Sequence, residues 1–409
     1  MKKPLRVVML LLNEMTRDAR VEREASLLAG RGLDVRVLAL CGPGLPFRER
    51  RRGFEILRFD QRDRLTRWAD EKIMARFRRR KKAAPASEKG QPDPGHLEYI
   101  RLLNRIFAKE AARLKPDIIH CHDLDMLEAG IMAGERSGRP LIYDAHELWS
   151  EQSFALSGTW NEYFESLEKK LIPRADRVLT VNDSLAAELA RRYAIPIPMV
   201  VRNCPPLQPL TPPGGEMLKL SSTGRKILLY HGIFTEHRGL ESLILAMASI
   251  GDAILALRGC GPLKEPLRVL ARENGLEDRV RFLEPVPPGD LVSSSTGAAA
   301  GLLPILPMGF NNTYCLPNKV FEYMMAGLAL LVSDLPELER LVSRSGAGIT
   351  FRAGNEDGLG NAIKELIRDP EKLNKCQKAA RKAAEEEYNW EKEGERLLDI
   401  YRDLGVRVG

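Results

Sequence analysis

Short, unbroken apolar runs alternate with helix-period segments along most of this chain, and no other feature of the sequence restricts the fold as tightly. In the first half the runs fall at 5–12, 35–40, 56–59, 118–120, 141–144, 178–181 and 199–201. Helical patterns occupy 20–30, closed by Gly30 and Gly32, then 97–114, ended before Pro116, and 124–136. Strands that are apolar on both faces belong in a parallel sheet covered by helices on both sides. The rhythm breaks at 205–224, where Pro205, Pro206, Pro209, Pro212, Pro213, Gly214 and Gly215 crowd together. It resumes with runs at 226–231, 254–258, 280–283, 299–304, 329–333 and 348–350, and the tail from Pro370 is helical, ending in an amphipathic stretch at 390–404. The pattern predicts an α/β chain of two Rossmann-like domains, 1–204 and 225–388, joined by a linker at 205–224 and facing each other across a cleft. In such sheets ligands bind beyond the carboxyl ends of the strands, so the residues just after each strand carry the information.

A chain of 409 residues suits two domains, and 44% hydrophobic with 29% charged residues fits a soluble globular protein. The apolar run at 7–12 is far below the roughly 20 residues of a spanning helix and lacks a signal-peptide cleavage pattern, so a cytoplasmic protein is expected. The six cysteines are scattered without a CxxC pair, which argues against a disulfide framework or a zinc knuckle. His120 and His122 share one side of their strand, but no further ligands are evident near them, so no metal is expected.

The formal charge of +7 is concentrated between Arg48 and Lys82, including Arg50, Arg51, Arg52, Arg76, Arg78, Arg79, Arg80 and Lys81. Leu65, Ala69, Ile73 and Phe77 recur at i+4 within it, with Trp68 alongside, which predicts an amphipathic basic helix. One reading lays this helix peripherally on an anionic membrane at its inner face; the other leaves it solvated and packed on its own domain. No nucleic-acid motif is present, so no nucleic-acid partner is expected.

Three elements of the second half point to a bound anion. The segment YHGIFTEHRGLESLILAM, from Tyr230, ends a strand at His231, turns at Gly232 and presents Arg238 before a helix starting near Leu240. A glycine turn admits backbone amides to a phosphate, and a guanidinium adds a forked positive charge. The bland alternative is an ordinary loop with a surface arginine. Leu257 to Glu265 adds a GxG turn at Gly259 and Gly261, weak evidence when taken alone. Leu316 to Asp334 reads LPNKVFEYMMAGLALLVSD, with Lys319 and Glu322 at i and i+3 on one helical face. Lys319 in a first turn is mildly unfavourable against the helix dipole unless an anion lies nearby, and Glu322 can accept the hydrogens of two ribose hydroxyls. A plain Lys–Glu surface pair is the alternative.

Arg238–Gly239, the GCGP turn and the PNKVFEYMMAG helix, in that order and spacing, resemble the donor domain of the retaining family-4 glycosyltransferases of the GT-B fold, in the form with an LPNKxFEY helix. DIIHCHDLDMLEAG, LIYDAHELWSE and RDARVEREASLLAGRGLDVRVLAL resemble the same family's acceptor domain. The resemblance implies two facing Rossmann-like domains with the final helix, 389–409, crossing back to the first. It implies a metal-independent transferase with no cofactor, moving a sugar from a UDP-, GDP- or related donor to a glycan or lipid-linked acceptor hydroxyl in cell-surface glycan or polysaccharide assembly. Arg238 and Lys319 would grip the donor diphosphate and Glu322 the ribose, with Gly232, Gly261, Thr313, Tyr314 and Leu316 along the donor and 285–287 bordering the base. His122 would meet the transferred sugar, and Asp123 would orient it or touch the acceptor. His146, Glu147, Arg17, Asp18 and Arg20 are acceptor-side candidates. Two positions depart from the family: Ile233 replaces a basic residue and Tyr314 replaces a glutamate. Two other classes stay open, a nucleotide-sugar 2-epimerase of similar fold and a non-enzymatic protein that binds membrane surfaces through the Arg48–Lys82 stretch.

Overall fold

The computed structural model describes residues 4–60, 94–152 and 158–407. The chain forms two compact units, Met1–Val201 with Gly394–Gly409, and Arg202–Glu393.

The first unit holds an eight-stranded sheet in the order β3-β4-β2-β1-β5-β6-β7-β8. Its strands are β1 (Arg6–Leu10), β2 (Asp34–Cys41), β3 (Arg48–Arg51), β4 (Phe54–Asp60), β5 (Ile118–His122), β6 (Leu141–Ala145), β7 (Arg177–Thr180) and β8 (Met199–Val200). Every residue of β5 and β6 is buried, which is why these runs show no polar alternation. Strand order reverses at β1, whose neighbours are β2 and β5, so the carboxyl ends of β1 and β5 flank the natural ligand crevice.

β3 is the one strand of this sheet that the apolar pattern did not predict. It is Arg-Glu-Arg-Arg, antiparallel to β4 through a turn at Arg52 and Gly53, both at positive φ (44° and 91°). Edge strands are commonly charged, since charge discourages pairing with another chain, so an edge can form without an apolar run. Its arginines are partly neutralised: Arg51 lies 2.5 Å from Glu49 and 3.6 Å from Glu22, and Arg52 lies 3.4 Å from Glu22. The basic helix expected over Leu65 to Phe77 lies outside the described residues.

The second unit holds a six-stranded parallel sheet in the order β11-β10-β9-β12-β13-β14. These are β9 (Lys226–Ile233), β10 (Ala253–Cys260), β11 (Val280–Leu283), β12 (Ala300–Leu303), β13 (Ala329–Ser333) and β14 (Gly348–Phe351). Along β9, Leu228 and Tyr230 enter one apolar core while Ile227 and Leu229 enter the other, so the sheet is covered on both faces. Here the order reverses at β9, between β10 and β12.

The proline-rich segment is more structured than a linker. It contains a helix, Gly215–Ser221, whose Met217 is buried in the core with Cys204, Ile227 and Phe321. Proline density marks where extended chain begins, but Met217 and Leu220 keep a helical spacing that it does not erase. The last helix, Trp390–Asp403, spans both units: the Trp390 amide donates to the Pro205 carbonyl at 2.9 Å, while residues from Gly394 onward pack with the first unit. No helix among the described residues is long and apolar enough to cross a membrane.

Candidate functional site

In the first unit the informative side chains gather at the carboxyl ends of β1, β5 and β6. Alternation along β5 turns His120 and His122 to one side, where their rings stack with centroids 4.6 Å apart. Arg20, from the helix Ala19–Gly30, reaches Asp144 on β6 with two hydrogen bonds of 2.7 and 2.8 Å and lies 3.1 Å from Glu24 one turn on. Arg20, Glu24, His120, His122 and Asp144 are all buried. Burial would raise the Asp144 pKa, but Arg20 and then His146 outweigh it and hold that carboxyl well below its usual range. Burial, reinforced by Asp144, pushes Glu24 up to about 7. Burial and the neighbouring His122 hold His120 well below the usual histidine range, and its Nδ1 lies 2.9 Å from the hydroxyl of Tyr401 in the last helix.

His146 lies between two carboxylates, Nδ1 3.3 Å from Asp123 and Nε2 3.1 Å from Asp144. Burial opposes its charge, yet the two carboxylates prevail and raise its pKa well above the ordinary value. Asp123 has φ 61°, a conformation non-glycine residues seldom adopt, directly after β5. Such strain persists only where surrounding structure enforces it, and it gathers at sites of function.

The structure divides the acceptor-side candidates. His122, Asp123, His146 and Arg20 converge, with Arg20 turned inward. Asp18 caps the helix Ala19–Gly30 by accepting from the Val21 amide, Arg17 is exposed, and Glu147 bonds to Gln152. Two members that were not foreseen, Glu24 and Asp144, come from elements distant in sequence. With His120 and His122 they place ligand-type atoms within 4.8 Å of one another, close enough to hold a metal ion. Arg20 already supplies a cation between the two carboxylates, so the group fits an ion-paired core better than a metal centre.

In the second unit the site forms at the end of β9 and the start of the helix Asn318–Met325. Lys319 places its ammonium 4.0 Å from the centre of the Tyr230 ring. Burial first, and then Arg238, lower its pKa to about 7, which puts the two cations in one electrostatic neighbourhood. Neither forms an ion pair with a described carboxylate. Gly232 adopts φ 139°, and a Cβ there would stand 2.6 Å from the Lys319 nitrogen, so the glycine makes room for the ammonium. Gly259, paired with Gly232 across β9 and β10, lies against the Gly232 carbonyl, and Gly261 lies against the Phe234 backbone. The GxG turn therefore serves close strand packing. Ile233, at the position where the resembled family is basic, is exposed.

Glu322 is part-buried, and His231 Nε2 donates to its Oε2 at 2.8 Å. The His231 amide donates to the Tyr323 hydroxyl at 2.9 Å. The Tyr314 ring lies tilted against Phe310 with centroids 4.6 Å apart, Thr313 donates to the Gly309 carbonyl, and Leu316 packs on the apolar core. His231 went unnoticed because a histidine closing a buried strand carries no pattern of its own; the signal was Glu322, which needs a donor when part-buried.

Two family models cover most of the chain. A glycosyl transferase 4-like domain matches residues 18–204, and a glycosyl transferases group 1 domain matches 219–383. The D-inositol 3-phosphate glycosyltransferase of Saccharomonospora viridis is 26% identical over 309 residues, 70% of each chain. Among solved structures, sucrose-phosphate synthase from Thermosynechococcus elongatus superposes with a TM-score of 0.77 at 19% identity, covering 98% of this chain and 99% of that one. HepE from Anabaena, in complex with UDP-glucose, does so with a TM-score of 0.70 at 14% identity, covering 98% and 100%. With two parallel α/β units in this order, each matched by its own family model, the chain belongs to the GT-B glycosyltransferases and transfers sugar from a nucleotide-sugar donor.

Proposed function

We propose that the chain moves a sugar, with retention of anomeric configuration, from a UDP-type donor held by the second unit to a hydroxyl of a glycan or lipid-linked acceptor held by the first. No metal ion takes part. One observation carries this reading: Lys319, at the carboxyl end of β9, has its pKa lowered by burial and then by Arg238, and neither cation forms an ion pair with a described carboxylate. Two cations so arranged call for a dianion, and a diphosphate supplies it. As the bond from the anomeric carbon to the phosphate oxygen breaks, negative charge builds on the diphosphate. Fixed cations in a partly dehydrated site stabilise that charge more than water does. Glu322 takes the ribose hydroxyls, with Gly232 and residues 313–316 along the sugar and phosphates.

On the acceptor side, His122 hydrogen-bonds the transferred sugar, and Asp123 and His146 orient it and the acceptor. Metal independence finds support in Arg20, which stands as the cation of the first unit's cluster. The UDP preference draws on HepE, which binds UDP-glucose, and the acceptor class on relatives named for glycan and phosphorylated acceptors. Work inside the cell, in cell-surface glycan or polysaccharide assembly, accords with six cysteines that are all free. Contact with an anionic membrane is proposed for the Arg48–Lys82 stretch.

Calorimetric titration with UDP and with GDP tests the donor site. Binding of at least one is expected, weakened about tenfold or more in Arg238→Ala, as befits charge-assisted contacts. Binding of neither nucleotide overturns the reading. Turnover that persists in a chelator, and an NMR spectrum of the product showing the donor's anomeric configuration, check the other two claims.

A further inference from the structure

We propose that His231 is a positioning residue that holds the Glu322 carboxylate ready for the donor's ribose; this rests on the donor-site reading above. A glutamate on a helix face has three side-chain torsions to fix, and ordering it when a ligand arrives costs rotamer entropy. His231 removes much of that freedom beforehand. Its Nε2 stands 2.8 Å from Glu322 Oε2. A carboxylate can only accept, so the ring proton sits on Nε2 and the tautomer follows from the partner.

The ring is itself held. Its backbone amide donates to the Tyr323 hydroxyl at 2.9 Å, its face lies against the Tyr323 ring with centroids 4.6 Å apart, and its Nδ1 lies 3.5 Å from the Ser295 hydroxyl. That hydroxyl gives its own proton to the Leu291 carbonyl at 2.6 Å, so it makes no demand on Nδ1 and the ring proton stays on Nε2, toward Glu322. His231 ends β9 while Glu322 and Tyr323 belong to the helix Asn318–Met325, so this one side chain fixes the helix's donor face to the strand that carries Gly232. Glu322 Oε1 takes no hydrogen bond from any described residue and is the oxygen offered to the ligand.

The test uses the whole enzyme and four probes, UDP, GDP and their 2′-deoxy counterparts, titrated into wild type, His231→Phe, His231→Gln, Glu322→Gln and the Phe/Gln double variant. His231→Phe keeps a planar ring without the donor, while His231→Gln restores an N–H at the same reach. Should His231→Phe fail to fold, His231→Met takes its place. The expected result is that His231→Phe weakens the preferred ribonucleotide about tenfold, the loss of one hydrogen bond to a charged group. The 2′-deoxy nucleotide should stay within about twofold and His231→Gln within about threefold of wild type. The double variant should bind no more weakly than Glu322→Gln alone.

Equal weakening of ribo- and deoxyribonucleotides by His231→Phe, or additive losses in the double variant, would show that the histidine only supports the core, and would overturn the proposal. If Glu322→Gln itself keeps the full preference for ribose, the ribose assignment fails and the proposal with it. If Glu322→Gln loses that preference while His231→Phe keeps it, the proposal alone fails.

Discussion

At the carboxyl end of β5, Arg20 faces Asp144 and Glu24 with all three side chains shut away from solvent; at the carboxyl end of β9, Lys319 feels the charge of Arg238, and no described carboxylate is ion-paired to either. Both clusters sit where strand order reverses, and both are built from a helix side chain meeting the end of a strand. The first has spent its charges on one another. The second holds like charges together, with Glu322 and the Tyr230 ring offsetting only part of the cost. On the proposed reading, the charges already paired hold the fold together and the unbalanced ones await a partner. The comparison also explains the first unit's strain. Asp123, at φ 61°, is held by His146, which is in turn held by Asp144, so the closed network keeps one part-exposed pair, Asp123 and His146, in a fixed pose.

The contrast breaks most readily through Arg20. Arg20→Ala leaves Asp144 and Glu24 buried beside each other without the guanidinium that bridges them, and removing one partner of a buried ion pair costs about 3–5 kcal/mol. Urea unfolding should show a loss of that size, with Arg20→Lys recovering only part because an ammonium cannot make the two-pronged contact. A loss under about 1 kcal/mol would mean that the first cluster is no more self-contained than the second.

Lys319→Met should do the reverse. Turnover should fall about 10²- to 10³-fold, the usual cost of removing one stabilising group from a developing oxyanion. The fold, relieved of a crowded ammonium, should be at least as resistant to urea as wild type. Steady-state rates and unfolding curves on the same preparation decide it: a variant that loses stability along with activity would place Lys319 among the structural charges.

The two clusters were unequally legible in the sequence. The second unit's cluster is partly local: Lys319 and Glu322 are three apart on one helix, so spacing put those two on one face, while the resemblance joined Arg238 to them. The first unit's cluster is assembled from Ala19–Gly30, β5 and β6, and nothing in the spacing of Glu24, His122 and Asp144 announces that they meet. Parallel strands from β1 to β14 were legible because burial on both faces leaves unbroken apolar runs. β3 was not, because an edge strand is stabilised by its ladder with β4 and can be made of arginine and glutamate. The helix Gly215–Ser221 was hidden by the prolines around it, although Met217 anchors it in the core.

Gly232 offers a finer cut at the donor side. Its φ of 139° and the Lys319 nitrogen 2.6 Å from where a Cβ would stand make alanine both strained and obstructive. The flexible lysine can yield, so Gly232→Ala should fold, yet lose about tenfold in kcat/KM through a displaced ammonium, roughly 1.4 kcal/mol. An unchanged kcat/KM would mean that the ammonium need not sit over the strand end.

The least direct readout separates the units by pH. Lys319 is lowered to about 7 from an ordinary 10.5, by burial and then by Arg238. Between those values the unfolded chain binds more protons than the folded one, so stability rises with pH from about 7 toward 10.5. Glu24 is raised to about 7 from an ordinary 4.5, by burial and then by Asp144. There the folded chain holds the extra proton, so the contribution is complete below 4.5 and disappears as pH climbs to about 7. The two clusters thus tilt stability in opposite directions on either side of neutrality. Protection of the slowest amides from hydrogen exchange should fall off in the first unit as pH rises toward 7 and grow in the second above it, after correction for intrinsic exchange. Glu24→Gln should flatten the first trend alone and Lys319→Met the second alone. Because a diphosphate favours the charged ammonium, nucleotide binding at pH 8 should also take up protons, read as a buffer-dependent heat that Lys319→Met abolishes. Buffer-independent heats in the wild type would mean that the lysine is already charged before the nucleotide arrives, and the second unit's cluster would then resemble the first unit's in having its charge settled in advance.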